Sequence, residues 1–130
     1  MIIDTSALSA ILRDEPEARH FAEAIEAATE RRISAATDIE LAAVIDGGRD
    51  LIASRLVDEL LDAARVVIEP VTEAQAWIAR EAYRDFGKGS GHAAGLNFGD
   101  CIAYALARAT GESLLYKGDD FSRTDVVAAA

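Results

Sequence analysis

The chain lacks the sequence features of internal disulfides, membrane-spanning segments and signal peptides. Its 130 residues include one cysteine, two prolines and one tryptophan. A lone cysteine, Cys101, forms no internal disulfide, which agrees with a reducing compartment. No apolar run approaches the ~20 residues that cross a bilayer, and the first residues lack the basic region and cleavage site of a signal peptide. The sequence therefore predicts a cytoplasmic protein that does not associate with membranes.

Positive charge is also scarce, because 13 Lys and Arg face 23 Asp and Glu and leave a formal net charge of -10. This balance argues against broad, non-specific adhesion to nucleic acid, which relies on a cationic surface. It does not exclude an enzyme that acts on nucleic acid, because a bound divalent cation would locally invert the field of an acidic cleft. With 51% hydrophobic residues, the chain is expected to fold as one domain over residues 1–130.

Short apolar runs alternate with stretches of helical spacing along the whole chain. Strands separated by helices indicate an α/β fold, in which a central, mostly parallel sheet is flanked by helices. Asp14 is predicted to cap the second helix, with Pro16 in its first turn. The predicted strands are 1–3, 31–34, 66–68, 113–116 and a short edge strand at 126–127, and the other helices are 6–12, 36–45, 51–64, 72–86 and 98–110.

Several acidic residues fall where a predicted strand ends or a predicted helix begins. Asp4 follows the first strand, and Glu40 and Asp100 lie near the starts of two helices. Asp119 and Asp120 follow the late strand. Because the carboxyl ends of parallel strands meet at one edge of a sheet, Asp4, Asp100 and the late pair are expected at the same edge.

Each of these acids also has a purely structural explanation. Thr37 and Glu40 have the spacing of a capping box, in which the Glu side chain reaches back to the N-cap amide. Asn97 and Asp100 form a related cap, and the late aspartates would suit a turn. The sequence alone leaves both explanations open for every acid taken singly.

The combination of acids favours a metal site. Carboxylates that are held close together repel one another, so a pKa must rise unless a cation neutralises them. Hard oxygen ligands select Mg²⁺ or Mn²⁺, and such a cation can polarise a phosphoryl oxygen and activate water. No His–Cys cluster with zinc spacing is present. The predicted chemistry is therefore phosphoryl transfer or phosphodiester hydrolysis.

Four segments resemble the PIN-domain ribonucleases, and among these the VapC-type toxins of bacterial type II toxin–antitoxin systems. They are residues 1–8 (Met-Ile-Ile-Asp-Thr-Ser-Ala-Leu), Glu40-Leu41, residues 97–101 (Asn-Phe-Gly-Asp-Cys) and residues 114–125 (Leu-Leu-Tyr-Lys-Gly-Asp-Asp-Phe-Ser-Arg-Thr-Asp). The segments follow the family's order and span nearly the full length. The resemblance implies a PIN-like three-layer sandwich.

The resemblance also implies roles for individual residues. Asp4 and Asp100 match the principal Mg²⁺ ligands, and Glu40 matches the third acid, which binds or orients metal and water. Ser6 would support the site through its hydroxyl. Mn²⁺ is the alternative cation.

The fourth acid is where this chain departs from the family's pattern. Many relatives carry it in an Arg-Asp pair just after the strand, where this chain has Gly118. The acid before Phe121, Asp120, is therefore the preferred candidate for catalysis and metal binding, and Asp119 is the second.

The implied protein is a Mg²⁺-dependent endoribonuclease that cuts RNA and is neutralised by a cognate VapB-type antitoxin. The family also implies a homodimer, and a higher hetero-oligomer with the antitoxin. Two rival functions stay open: a non-catalytic binding module that has the PIN fold, and a phosphotransfer domain with an acidic pocket. The phosphotransfer reading is the weaker one, because Asp100 is predicted to begin a helix and not to end a strand.

Overall fold

A computed structural model describes all residues from 1 to 130. Six α-helices alternate with four short strands, followed by a single 3-10 turn at Phe121–Arg123. In chain order the elements are β1 (Ile2–Ile3), α1 (Thr5–Leu12), α2 (Ala18–Ala27), β2 (Arg32–Ser34), α3 (Ala35–Asp46), α4 (Leu51–Ala63), β3 (Val67–Glu69), α5 (Glu73–Phe86), α6 (Phe98–Thr110) and β4 (Leu114–Leu115).

The four strands form one parallel sheet in the order β3-β2-β1-β4. Ile2 of β1 pairs with Arg32 on one side and with Leu114 on the other, so β1 lies inside the sheet. The chain passes from β1 to β2 and β3 on one side of β1, and later crosses back to place β4 on the other side of β1. The strand order therefore reverses between β1 and β4, and the carboxyl end of β1 opens at the position where parallel α/β sheets form their crevice.

Neighbouring residues of each inner strand point to opposite faces of the sheet, so each face has its own core. Ile3 and Leu115 pack against helices α1 to α4, whereas Ile2 and Leu114 pack against α5 and α6. All four side chains are essentially buried. The result is a helix–sheet–helix sandwich, which confirms the predicted fold class. None of the helices has the length and apolarity needed to cross a bilayer.

Two sequence predictions of local structure were wrong. Asp14 does not cap α2; it lies at φ 50° just after α1, and α2 begins only at Ala18. A left-handed residue in that position ends a helix, which is what Asp14 does for α1. The predicted edge strand at 126–127 is reduced to one bridge between Leu114 and Ala128, because only single hydrogen bonds on either side hold the terminal segment.

Candidate active site

Asp4 lies at the carboxyl end of β1 and is only 3% exposed. It is the N-cap of α1: its Oδ2 accepts hydrogen bonds from the Ser6 amide (3.0 Å) and the Ser6 hydroxyl (2.6 Å). The Ser6 hydroxyl oxygen in turn accepts the backbone N–H of Lys117, at 2.9 Å, from the loop after β4. The turn explanation and the ligand explanation are therefore compatible, because the cap occupies one carboxylate oxygen and leaves Oδ1 without a protein donor.

Asp100 is the third residue of α6 and forms a true capping box with Asn97. The Asp100 amide donates to Asn97 Oδ1 at 2.8 Å, and Asp100 Oδ2 accepts the Asn97 amide at 3.0 Å. As with Asp4, only one carboxylate oxygen is used for the cap. The capping box fixes the rotamer of Asp100 and leaves Oδ1 free of protein hydrogen bonds.

Glu40 is held by a contact that its sequence neighbours did not indicate. The capping box predicted for Thr37 and Glu40 does not form, because α3 begins at Ala35 and Ser34 is its N-cap. Instead, the Thr5 hydroxyl donates to Glu40 Oε1 at 2.5 Å. Glu40 thus reaches from the middle of α3 to the residue that follows Asp4.

The two late aspartates are both exposed, and they differ in what they affect. Asp120 precedes the 3-10 turn that begins at Phe121, and its charge contributes to the raised pKa of the Asp100 carboxyl. Asp119 contributes its backbone carbonyl to the Ser122 hydroxyl. Of the pair, Asp120 is the one that acts on the other acids.

Burial and repulsion from neighbouring carboxylates shift the ionisation of Asp4 and Asp100. Burial is the largest cause that raises the pKa of Asp4 to about 6; the Ser6 hydrogen bonds oppose it, and the charges of Asp100 and Glu40 add to it. Burial likewise raises the pKa of Asp100, followed by repulsion from Asp120 and Glu40. Asp4, Glu40, Asp100 and Asp120 therefore form one electrostatically coupled group, which we call the acid group.

No cation of the protein neutralises the acid group. None of the ion pairs in the structure, which join nitrogen and oxygen atoms within 4.0 Å, involves Asp4, Glu40, Asp100 or Asp120. Lys117 follows β4 closely, but its ammonium pairs with Glu15 and Glu17. When the acids are ionised, the protein supplies no charge to balance their repulsion, and an added cation would do so.

The donor chemistry of the acid group fits a hard divalent cation. Its ligand atoms are carboxylate oxygens, and Asp4, Glu40 and Asp100 each keep one oxygen that no protein donor occupies. No group of three or more His, Cys, Asp or Glu side chains stands at metal-binding spacing in the structure. The fit therefore rests on oxygen donors and uncompensated charge.

Two residues that contact Glu40 were missed as site residues in the sequence. Thr5 belongs to the Asp-Thr-Ser segment, and Gly99 directly precedes Asp100. A side chain on Gly99 would collide with the Glu40 carboxylate. The sequence did offer one signal for Gly99: glycine has a low helix propensity, so a glycine in the first turn of a predicted helix suggests a role other than forming the helix. Cys101, in contrast, is a core residue, and burial raises the pKa of its thiol to about 11.

Beside Asp100, an open cleft of about 330 Å³ lies between α5 and α6. Arg80, Tyr83, Arg84 and Phe98 line it, and Phe98 is 78% exposed. The Arg80 guanidinium lies 4.5 Å from the centroid of the Trp77 ring. Cationic and aromatic side chains are thus concentrated along α5 and the start of α6, the helix that carries Asp100, in a protein whose net charge is -10.

Comparison with known proteins agrees with this fold. The PIN domain family matches residues 1–127. Ribonuclease VapC28 of Mycobacterium tuberculosis is 57% identical over 129 residues, which cover 99% of this chain and 97% of that protein. Ribonuclease VapC42 of the same species is 48% identical over 126 residues, covering 97% and 96% of the two chains.

Two solved structures share the fold at low sequence identity. One is M. tuberculosis VapC20, described as a sarcin–ricin loop cleaving toxin, with a TM-score of 0.74 and 17% identity over 97% of this chain and 95% of that one. The other is a toxin–antitoxin complex from Klebsiella pneumoniae, with a TM-score of 0.72 and 20% identity over 99% and 97% of the two chains. Both likenesses support the three-layer arrangement.

Proposed function

The chain belongs to the PIN domain family, among the VapC ribonucleases, and from that premise we propose that it is a divalent-metal-dependent endoribonuclease toxin. It hydrolyses RNA phosphodiester bonds with Mg²⁺, or Mn²⁺ in its place. The observation that carries this proposal is the acid group, in which burial and then the charges of neighbouring carboxylates raise the pKa of Asp4 and of Asp100, with no protein cation paired to any of the four acids.

Asp4 and Asp100 would hold the cation, Glu40 would bind or orient metal and water, and Asp120 would be the fourth acid. When bound, the cation supplies positive charge for the scissile phosphate and lowers the pKa of a water molecule. The protein's part is orientation: Ser6 fixes one oxygen of Asp4, Asn97 fixes one of Asp100, and Thr5 fixes one of Glu40.

RNA as the substrate is supported by the cleft between α5 and α6. Single-stranded nucleic acid binds where aromatic faces stack on bases and Arg or Lys contact phosphates. Phe98 and Tyr83 supply exposed aromatic faces, and Arg80 and Arg84 supply charge, in a cleft whose lining includes Phe98 and Cys101 of the helix that carries Asp100. Lys88 and His92 on the exposed loop before α6 would add further phosphate contacts.

We also propose that the chain binds an antitoxin and a second copy of itself. A VapB-type antitoxin would inhibit the enzyme by placing an Arg among the acids, because the guanidinium pairs with carboxylates through two hydrogen bonds. The exposed apolar side chains on α3 and α4 offer a surface for such a partner or for a second copy in a homodimer. These side chains are Ile39, Val44, Leu51, Ile52 and Leu56. We place these assemblies in the cytoplasm.

The test is an RNA cleavage assay with and without metal. The purified protein should cleave RNA with Mg²⁺ or Mn²⁺, and excess chelator should stop cleavage. Asp100→Asn should abolish cleavage and growth arrest while its circular dichroism spectrum stays unchanged, because the substitution removes a charge and keeps the shape of the cap. The antitoxin should restore growth in cells that express the wild-type chain.

Full activity of Asp100→Asn, or undiminished activity in chelator, would refute metal-dependent hydrolysis. RNA binding without any cleavage, in every divalent cation tried, would instead favour a non-catalytic binding module. Incorporation of phosphate as an acyl-phosphate on Asp4 or Asp100 would favour the phosphotransfer alternative.

A further inference from the structure

Gly99 is the second residue of α6 and is buried, although nothing in its backbone requires glycine. Its φ lies in the ordinary helical range, unlike that of Gly111 at the end of the same helix, which is +71°. Glycine is, after proline, the residue least favourable in a helix. A glycine kept at this position therefore needs a reason outside the helix.

The reason lies in the side chain of Glu40. A Cβ atom on residue 99 would lie 2.6 Å from Glu40 Cδ and 2.8 Å from Glu40 Oε1, and closer still to Oε2. Real Cβ atoms essentially never come within 3.0 Å of another heavy atom. The carboxylate thus occupies the space that a side chain of residue 99 would take.

Glu40 is thereby held by a hydrogen bond at one carboxylate oxygen and by close packing at the other. The Thr5 hydroxyl donates to Oε1, while Oε2 lies against Gly99. Thr5 is the residue after Asp4, and Gly99 is the residue before Asp100. The Glu40 carboxylate is therefore located between the two principal acids by the chain neighbour of each.

The start of α6 also favours a negative charge at this point. The first residues of a helix carry unpaired amides and the positive end of the helix dipole, which stabilise a nearby carboxylate. The Glu40 carboxylate can come this close to the backbone of α6 only because residue 99 has no side chain.

We propose that Gly99 is a positioning residue: its missing side chain admits the Glu40 carboxylate to the start of α6 and so sets where the third acid of the site stands. This inference rests on the proposed function, because it takes Glu40 to be a working acid. Any side chain at position 99 displaces that carboxylate and weakens divalent cation binding, even where it improves the helix.

The experiment compares wild type, Gly99→Ala, Glu40→Ala and the double variant. Mn²⁺ binding to the purified protein, followed by electron paramagnetic resonance, is the main readout, and RNA cleavage and Tm accompany it. We expect Gly99→Ala to lower Mn²⁺ affinity by about 10- to 100-fold, the loss typical when a residue that orients a ligand is changed. The double variant should bind Mn²⁺ no worse than Glu40→Ala, because both changes act through one carboxylate.

Thermal stability gives a second readout that a purely structural glycine would not produce. In the Glu40→Ala background, where the collision is gone, Gly99→Ala should raise Tm by about 4 °C through helix propensity. In the wild-type background the same change should raise Tm less or lower it. Should Gly99→Ala fail to fold alone, the double variant must fold; an unfolded double variant overturns the proposal.

Gly48→Ala is the matched control. It adds the same methyl group just beyond α3, the helix that carries Glu40, where the new Cβ would meet nothing closer than Ile45 O at 3.4 Å. It should leave Mn²⁺ affinity and cleavage at the wild-type level.

The outcomes separate the two proposals. If Glu40→Ala leaves Mn²⁺ affinity and cleavage unchanged, Glu40 is not a working acid and both the assigned role and this inference fail. If Glu40→Ala impairs both and Gly99→Ala impairs neither, the proposed function stands and the inference is overturned. Losses that multiply in the double variant would also overturn it, because Gly99 would then act independently of Glu40.

Discussion

Two groups of acids differ in how they relate to Lys117, in the loop after β4. Its ammonium pairs with Glu15 and Glu17, while its backbone N–H donates to Ser6, which holds Asp4. A hydrogen bond from its own amide, and then Lys117, lower the pKa of the Glu17 carboxyl. Burial and repulsion raise the pKa of Asp4 to about 6.

The difference between the two groups lies in what supplies the balancing charge. The Glu15–Glu17 pair receives its cation from the chain and is complete without a ligand. The acid group receives hydrogen bonds that orient its oxygens, but no positive charge. Acids arranged this way reduce stability until a cation arrives, which is the behaviour expected of a functional site and not of a surface ion pair.

The largest expected effect is the loss of activity when one member of the acid group is neutralised. Asp4→Asn should reduce RNA cleavage by about 10³-fold or more, since a bound metal contributes several kcal/mol to phosphoryl chemistry. Glu17→Gln, the matched change in the other group, should leave cleavage within about threefold of wild type. Initial rates on one RNA substrate measure both, and equal losses would remove the distinction between the groups.

The next effect concerns stability and pH. Between its ordinary pKa of 3.8 and its raised value of about 6, the folded chain keeps a proton on Asp4 that the unfolded chain has released. Stability therefore falls as pH rises through this window, and the full cost of about 3 kcal/mol is present above pH 6. Urea unfolding without divalent cations should show this fall in wild type relative to Asp4→Asn.

The control for that measurement is Mg²⁺. A cation that binds only the folded chain should recover stability at pH 7 in wild type and much less in Asp4→Asn. A wild type and an Asp4→Asn variant with the same pH dependence would contradict the assignment of this buried carboxylate to the acid group.

A smaller effect should separate the two late aspartates. Asp120→Asn is expected to reduce cleavage by about 10- to 100-fold, because Asp120 acts electrostatically on Asp100. Asp119→Asn should change cleavage by no more than about threefold. The reverse order of the two losses would make Asp119 the fourth acid.

The smallest effect should follow from removing the Lys117 ammonium, which is the cation of the Glu15–Glu17 pair. Lys117→Gln breaks the ion pairs with Glu15 and Glu17 but keeps the backbone N–H that reaches Ser6. Cleavage should stay within about twofold of wild type, because exposed ion pairs contribute little and the acid group is untouched. A loss as large as that of Asp4→Asn would show that the Lys117 side chain serves the site directly.

Most of the fold could be predicted from sequence, because its strands and helices are signalled locally. The apolar run at the start of the chain and the helical spacing over 72–86 and 98–110 each marked an element that the structure contains. The prediction for Asp14 was wrong because a short polar residue can serve either as an N-cap or as the left-handed residue that ends a helix. Only the path of the chain between α1 and α2 selects one of these roles. The prediction of a terminal edge strand was wrong because the last residues form only one bridge to β4, which is too few backbone hydrogen bonds for a strand.

The sequence pointed to the four candidate acids and to two of their supports, the Ser6 hydroxyl and the Asn97 cap, but not to the residues that support Glu40. Asp4 and Asp100 stand at element ends that sequence patterns and the family resemblance both mark. Thr5 and Gly99 contact Glu40 across gaps of 35 and 59 positions in the chain, which no local pattern reports.

The sequence by itself determined which acidic side chains stand near the ends of strands and the starts of helices, because a few adjacent residues specify these ends. The tertiary structure decided how those acids behave. Burial between two helical layers raises the pKa of Asp4, and the reversal of strand order beside β1 brings α3 and α6 to the same edge. Charge repulsion and close approach act through space, so they exist only once distant segments have packed together.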